Sequence, residues 1–172
     1  AVVGMGKAVG FDCKLNAAVH EVNQDQRTHF WQKLLAEFPG GLKGLTLAFW
    51  GVAFKPRTDD IREAPSMTLM QRALDAGAHV RAFDPVAMEN LSKEMPTVHR
   101  AADMYDCLKG ADALVICTEW REFRSPDLDQ VKALLKRALI VDGRNLYRCE
   151  GMQAHGFDYA SVGRATARGA KR

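Results

Sequence analysis

From Leu42 onward, short apolar runs alternate with segments of helical period, and few folds accommodate that pattern. Residues 45–52, 79–83, 113–117, 139–141 and 159–162 read as strands, with a very short one beginning near Val98. Residues 64–76, 86–94, 101–109, 128–135 and 150–155 read as the helices between them. Pro65 suits a first helical turn and Gly77 a helix stop. The central runs are apolar throughout rather than alternating, so they belong to strands buried on both faces. The expectation is an α/β fold, a mostly parallel sheet with helices on both faces. Ligands of such sheets bind beyond the carboxyl ends of the strands, where the strand order reverses. That directs attention to residues 53–63, 84–85, 118–124 and 142–144.

Ahead of this region, residues 11–38 carry a helical pattern with Leu15, Val19, Val22, Phe30, Leu34 and Phe38 along roughly one stripe. Polar Asn23, Gln24, Asp25 and Gln26 interrupt it, and Pro39-Gly40-Gly41 ends it. Earlier still, Gly4-x-Gly6-x-x-x-Gly10 superficially matches a dinucleotide fingerprint, but only Ala1-Val2-Val3 precede it where a full strand is required. A helix end and turn is the better reading. The division that follows is 1–41 for the end of a helical segment, 42–163 for one α/β domain and 164–172 for a tail.

The 172 residues suffice for one domain with a full core. The net charge of +3 comes from Arg164, Arg168, Lys171 and Arg172; without them the chain is slightly acidic. The body therefore offers no basic patch for nucleic acid, and the tail is expected to be disordered. No run approaches the roughly 20 apolar residues of a membrane span, and the start lacks a secretory pattern, so a cytoplasmic protein is expected. Cys13, Cys107, Cys117 and Cys149 form no C-x-x-C pair and no zinc spacing, which points to reduced thiols and no metal. Asn90-Leu91-Ser92 is a sequon without weight in that setting.

The loop after the first strand carries Lys55, Arg57 and Arg62 in place of a glycine-rich cradle. A compact ammonium and planar guanidinium forks both suit a diphosphate, and Arg144, after another strand, could converge on the same crevice. Asp59 and Asp60 read as loop-ordering groups, Asp84 as a turn residue before Pro85, and Glu119-Trp120 as packing at a strand end.

The run Phe49-Trp50-Gly51-Val52-Ala53-Phe54-Lys55-Pro56-Arg57-Thr58-Asp59-Asp60-Ile61-Arg62-Glu63-Ala64-Pro65-Ser66 closely resembles the signature of the UDP-glucose/GDP-mannose dehydrogenase family. Val22-Asn23-Gln24-Asp25-Gln26, Ala82-Phe83-Asp84-Pro85, Thr118-Glu119-Trp120 with Phe123, and Asp142-Gly143-Arg144 resemble the family in the same order. The resemblance covers residues 10–163. The Lys-Pro-x-Thr-Asp-Asp and Thr-Glu-Trp forms are most similar to the UDP-glucose branch; the GDP-mannose and UDP-N-acetylmannosamine branches stay open. It implies a Rossmann-like UDP-binding C-terminal domain, preceded by the end of a long central helix that builds a homodimer. In the whole family enzyme, NAD sits on an N-terminal domain, and a sugar 6-hydroxyl is oxidised to a carboxylate through a cysteine-linked thiohemiacetal and thioester. Carried over by motif, Phe54, Lys55 and Arg144 are expected to contact the UDP-sugar and Arg62 to reach NAD.

The family's nucleophile motif, its glycine fingerprint and its catalytic Lys/Asn helix are not found in these residues. The chain is therefore expected to be a C-terminal part, inactive by itself, with Leu15, Val22 and Phe30 left uncovered. Two further readings compete: a phospho-receiver module with Asp84 as acceptor, and a free-standing nucleotide-binding or dimerisation protein.

Overall fold

The computed structural model describes residues 2–170. Six strands, β1 (Thr46–Trp50), β2 (His79–Phe83), β3 (His99–Arg100), β4 (Ala113–Ile116), β5 (Leu139–Asp142) and β6 (Asp158–Ser161), form one sheet. Their order is β3-β2-β1-β4-β5-β6, and every pair is parallel. This is the Rossmann order, with its reversal between β1 and β4.

The helices are α1 (Val2–Ala8), α2 (Lys14–Ala36), α3 (Pro65–Asp75), α4 (Met88–Glu94), α5 (Met104–Leu108), α6 (Leu128–Leu134) and α7 (Cys149–Ala154). They begin and end for local reasons. Pro65 opens α3; Asp103 caps α5 by accepting from the Tyr105 and Asp106 N–H groups; Asp127 caps α6 through Gln130 N–H. Gly77 ends the α3 segment at φ 81°, a conformation costly for any residue with a Cβ. Arg121–Arg124, which the periodicity does not announce, forms a 3-10 turn.

Successive strand residues point to opposite faces, so two cores result. Leu47, Phe49, Val80, Val115 and Val141 meet α2, α3 and α4 through Leu34, Leu69, Met70 and Leu91. Trp50, Leu114, Ile116, Ile140 and Tyr159 meet α5, α6 and α7 through Cys107, Leu108, Val131 and Met152. Trp50 stacks on Phe123 with centroids 5.0 Å apart. Each wholly buried large apolar side chain contributes about 1.5–3 kcal/mol. That is why a change such as Leu114→Ala would be felt across the sheet.

The glycine-rich start behaves as a helix and turn. Gly6 lies within α1, where a Cβ would stand 2.4 Å from Cys13 Sγ, and Gly10 turns the chain at φ 72°. The stripe on α2 splits. Phe30 and Leu34 are buried, whereas Leu15, Val19 and Val22 are 78%, 54% and 57% exposed. The expectation that Phe30 lies uncovered is corrected: it packs beneath Gly143 at the carboxyl end of β5, because only the second half of α2 reaches the sheet.

The tail expectation is also corrected for residues 164–170. Ala167 exchanges backbone hydrogen bonds with Tyr159 at 2.8 and 2.9 Å. Arg168 pairs with buried Glu37 at the end of α2 and with Asp158, both of which Arg137 also engages. The arginine has no acid near it in sequence; its partners come from elements far away in the chain. Lys171 and Arg172 lie outside the described residues. No helix among the described residues is long and apolar enough to cross a membrane.

Candidate functional site

The carboxyl ends of β1, β4 and β5 open onto one cavity of about 910 Å³, at the point where the strand order reverses. Its first wall is the loop after β1. Gly51, at φ 87°, lets the chain pass so close to Thr118 that a Cβ would sit 2.5 Å from it. The Val52 and Ala53 N–H groups then donate to Asp84 Oδ2 at 2.8 and 3.0 Å. Phe54 and Lys55 follow and line the cavity. Phe54 N–H donates to the Asp60 carbonyl at 2.9 Å, and left-handed Arg57 and Glu63 help fold the loop back.

The opposite wall comes from the loops after β4 and β5. Asp142 is buried; its Oδ1 accepts from Arg144 N–H at 2.8 Å, and its Oδ2 from Leu146 N–H and the Tyr159 hydroxyl at 2.7 Å each. Burial pushes the Asp142 carboxyl above the usual range, against these hydrogen bonds. Arg144 Nε donates to the Cys117 carbonyl at 2.7 Å. The Glu119 Oε2 lies 3.2 Å from the same Nε. That hydrogen is committed to the carbonyl, so Oε2 has no hydrogen-bond partner among the described residues. The Nη groups of Arg144 donate to no protein acceptor among the described residues. The third side is α2, through His20, Asn23, Gln24 and Arg27.

The structure thus brings Phe54, Lys55 and Arg144 together and leaves Arg62 apart. Arg62 is 87% exposed in its side chain, forks onto Asp60 at 2.9 and 2.8 Å, and borders a separate concavity with Asp59 and Asn90. The Arg62 hydrogen bond is the chief cause holding the Asp60 carboxyl down at about 2. Asp60 is the loop-ordering residue expected of it.

Arg27 was not singled out from sequence. It donates to the Glu63 carbonyl at 2.7 Å and to Thr68 Oγ1 at 3.3 Å, tying α2 to the signature loop. The available signal was a cation directly after the polar break in the α2 stripe. Glu119 was read as packing but faces the cavity; its neighbour Trp120 is the packing residue.

Chemically the cavity offers cations and amides for an anionic, hydroxylated ligand. Cys117, on its edge, is a poor nucleophile: burial pushes its thiol up to about 12, and Cys107 likewise. A receiver-type phosphoacceptor is excluded too, because Asp84 is 1% exposed with both oxygens engaged.

Residues 48–149 match the UDP binding domain of the UDP-glucose/GDP-mannose dehydrogenase family. The chain belongs to that family. Over 170 residues, 98% of the chain, it is 41% identical to a UDP-glucose 6-dehydrogenase of Bacillus subtilis, and over 97% of the chain it is 39% identical to one of Pseudomonas aeruginosa. It spans 37% and 38% of those relatives' lengths, little more than a third. The structure of a UDP-glucose dehydrogenase from the archaeon Pyrobaculum islandicum superimposes with a TM-score of 0.71 at 31% identity, covering 84% of this chain and 32% of that one. The UDP binding domain of the family is thus the part in which Phe54, Lys55 and Arg144 meet.

Proposed function

We propose that this chain supplies the sugar-nucleotide half of the active site of a cytoplasmic UDP-glucose 6-dehydrogenase. In this reading, Lys55 and Arg144 neutralise the diphosphate of UDP-glucose from opposite walls, and Phe54 packs against the nucleotide or sugar. The enzyme as a whole oxidises the sugar 6-hydroxyl to a carboxylate with NAD. The observation that carries the reading is the convergence of Phe54, Lys55 and Arg144, from loops after two different strands, on one cavity at the topological switch point.

NAD does not fit the dinucleotide position of this Rossmann sheet. The Val52 and Ala53 N–H groups, where a pyrophosphate would be cradled, are spent on Asp84, and Thr118 fills the space against Gly51. No step through NAD is assigned to these residues. Arg62 is proposed only as an outward contact to NAD held by another domain, and its exposure supports that role.

The deciding experiment is ligand-dependent melting. A ligand that binds only the folded state raises its stability, by about 2.7 kcal/mol at a hundredfold excess over Kd. UDP and UDP-glucose should raise the melting temperature, and NAD should not. Stronger stabilisation by GDP-mannose or UDP-N-acetylmannosamine would move the chain to another branch of the family.

A homodimer through the N-terminal helices is part of the proposal. Val2, Met5, Val9 and Phe11 of the α1 region, with Leu15, Val19 and Val22 of α2, leave apolar side chains more than half exposed. A patch of that kind favours association.

A further inference from the structure

Val52 and Ala53, the last residues before Phe54 and Lys55, have all four backbone polar groups bonded to buried side chains from three separate elements. Both N–H groups donate to Asp84 Oδ2. The Val52 carbonyl accepts from Ser66 Oγ on α3 at 2.5 Å, and the Ala53 carbonyl from Thr118 Oγ1 beyond β4 at 2.6 Å. Asp84 is the hub. Its Oδ1 takes the Val86 and Ala87 N–H groups at 3.0 Å each, which closes the turn through Pro85. Its Oδ2 accepts a third hydrogen bond, from Trp120 Nε1 at 3.0 Å.

The turn before Pro85 needs only Oδ1. The three bonds to Oδ2 reach beyond it, to the loop that carries Phe54 and Lys55 and to the loop that carries Glu119. Asp84 and Trp120 do not line the cavity; they stand behind its two walls. We infer that Asp84 is a positioning residue for the nucleotide site, bolting the β1 loop to the β4 loop so that the walls are set before a ligand arrives. The inference rests on reading the cavity as the UDP site. Its physical basis is preorganisation: a loop already fixed loses less freedom when ligand binds. A carboxylate is needed because all five partners are N–H donors, and an amide would present an NH2 group to some of them.

The test uses Asp84→Asn and Trp120→Phe, each measured well below its own melting temperature. Trp120→Phe removes one donor and leaves the four backbone bonds, so it reports even where Asp84→Asn does not fold. Val131→Ala, in α6 away from the cavity, controls for lost stability alone. The Kd for UDP should rise about tenfold in Asp84→Asn and about threefold in Trp120→Phe, and stay unchanged in Val131→Ala. Amide exchange at Val52, Ala53 and Phe54 should quicken in the first two variants without any ligand. Folded variants that keep wild-type affinity, or wild-type protection at these amides, overturn the inference. Wild-type protein that ignores UDP sinks the proposed function instead, and the exchange comparison still decides whether Asp84 holds the loop.

Discussion

Arg144 and Glu119 face each other at 3.2 Å, Nε to Oε2, while the Nε hydrogen goes to the Cys117 carbonyl. The carboxylate therefore does not orient the guanidinium through a hydrogen bond of its own. On the proposed reading of the cavity as the UDP site, its main effect on the diphosphate is repulsion, together with partial neutralisation of Arg144. Glu119→Gln should tighten UDP binding by about 0.5–1 kcal/mol, the scale of a partly exposed ion pair. Calorimetry showing weaker binding would mean that Glu119 accepts a ligand hydroxyl instead.

Lys55→Ala and Arg144→Ala should each weaken UDP binding by roughly 1.5–3 kcal/mol, the scale of a hydrogen bond to a charged group. Wild-type affinity should lie in the micromolar to millimolar range, about −4 to −8 kcal/mol. Arg62→Ala should leave UDP affinity unchanged, since Arg62 borders a different concavity. The reverse pattern in calorimetry would invalidate these roles.

The Asp60–Arg62 pair makes a pH prediction. The Arg62 side-chain hydrogen bond, helped by the residue's backbone N–H, holds the Asp60 carboxyl at about 2, below the ordinary aspartate value of 3.8. For an acid with a depressed folded value, the stabilisation is present above the unfolded value and lost as pH falls through the folded one. The pair should therefore persist at neutral pH and open only near pH 2. Carbon-detected NMR titration should place the Asp60 midpoint near 2 in the wild type and higher in Arg62→Ala, though still below 3.8, because the N–H of residue 62 keeps its hydrogen bond to Asp60 Oδ1. Equal midpoints in the two proteins would mean that the fork does not persist in solution.

Thiol chemistry separates the four cysteines. Cys107 and Cys117 are buried, and desolvation pushes both thiols up to about 12. Cys13 and Cys149 are partly exposed. A thiol reagent at neutral pH should modify Cys13 and Cys149 in the native protein and reach the other pair only on unfolding. Rapid native labelling of Cys117, located by peptide mass, would contradict the packing beside Arg144.

Replacing Leu15 or Val19 with Glu puts a charge on the uncovered face of α2 without touching the sheet. If that face joins two chains, each substitution should shift the protein toward monomer in light scattering and leave its melting profile nearly unchanged at low concentration. A wild type that is already monomeric at high concentration would remove the dimer from the proposal.

Periodicity and turn chemistry along the chain were enough to determine the strands of the sheet and the helices between them, though not the 3-10 turn at Arg121–Arg124. The strand at His79–Phe83 matches its expected bounds, and α3 starts at Pro65. These features are local: a strand buried on both faces, as at Ala113–Ile116, is apolar throughout, one half-covered, as at His79–Phe83, alternates, and proline is tolerated in a first helical turn. The signature around Phe54 and Lys55 identified the family because its residues are contiguous. Only the tertiary structure could decide which distant groups meet. It set Arg62 apart from Lys55 by folding the loop back through left-handed Arg57 and Glu63. It placed Arg27 and Glu119 at the cavity, gave Arg168 its partner Glu37, and converged five donors on Asp84. A charged or hydrogen-bonding side chain carries no sequence mark of its partner, because the pairing is fixed by strand order and the reach of the side chain rather than by spacing along the chain.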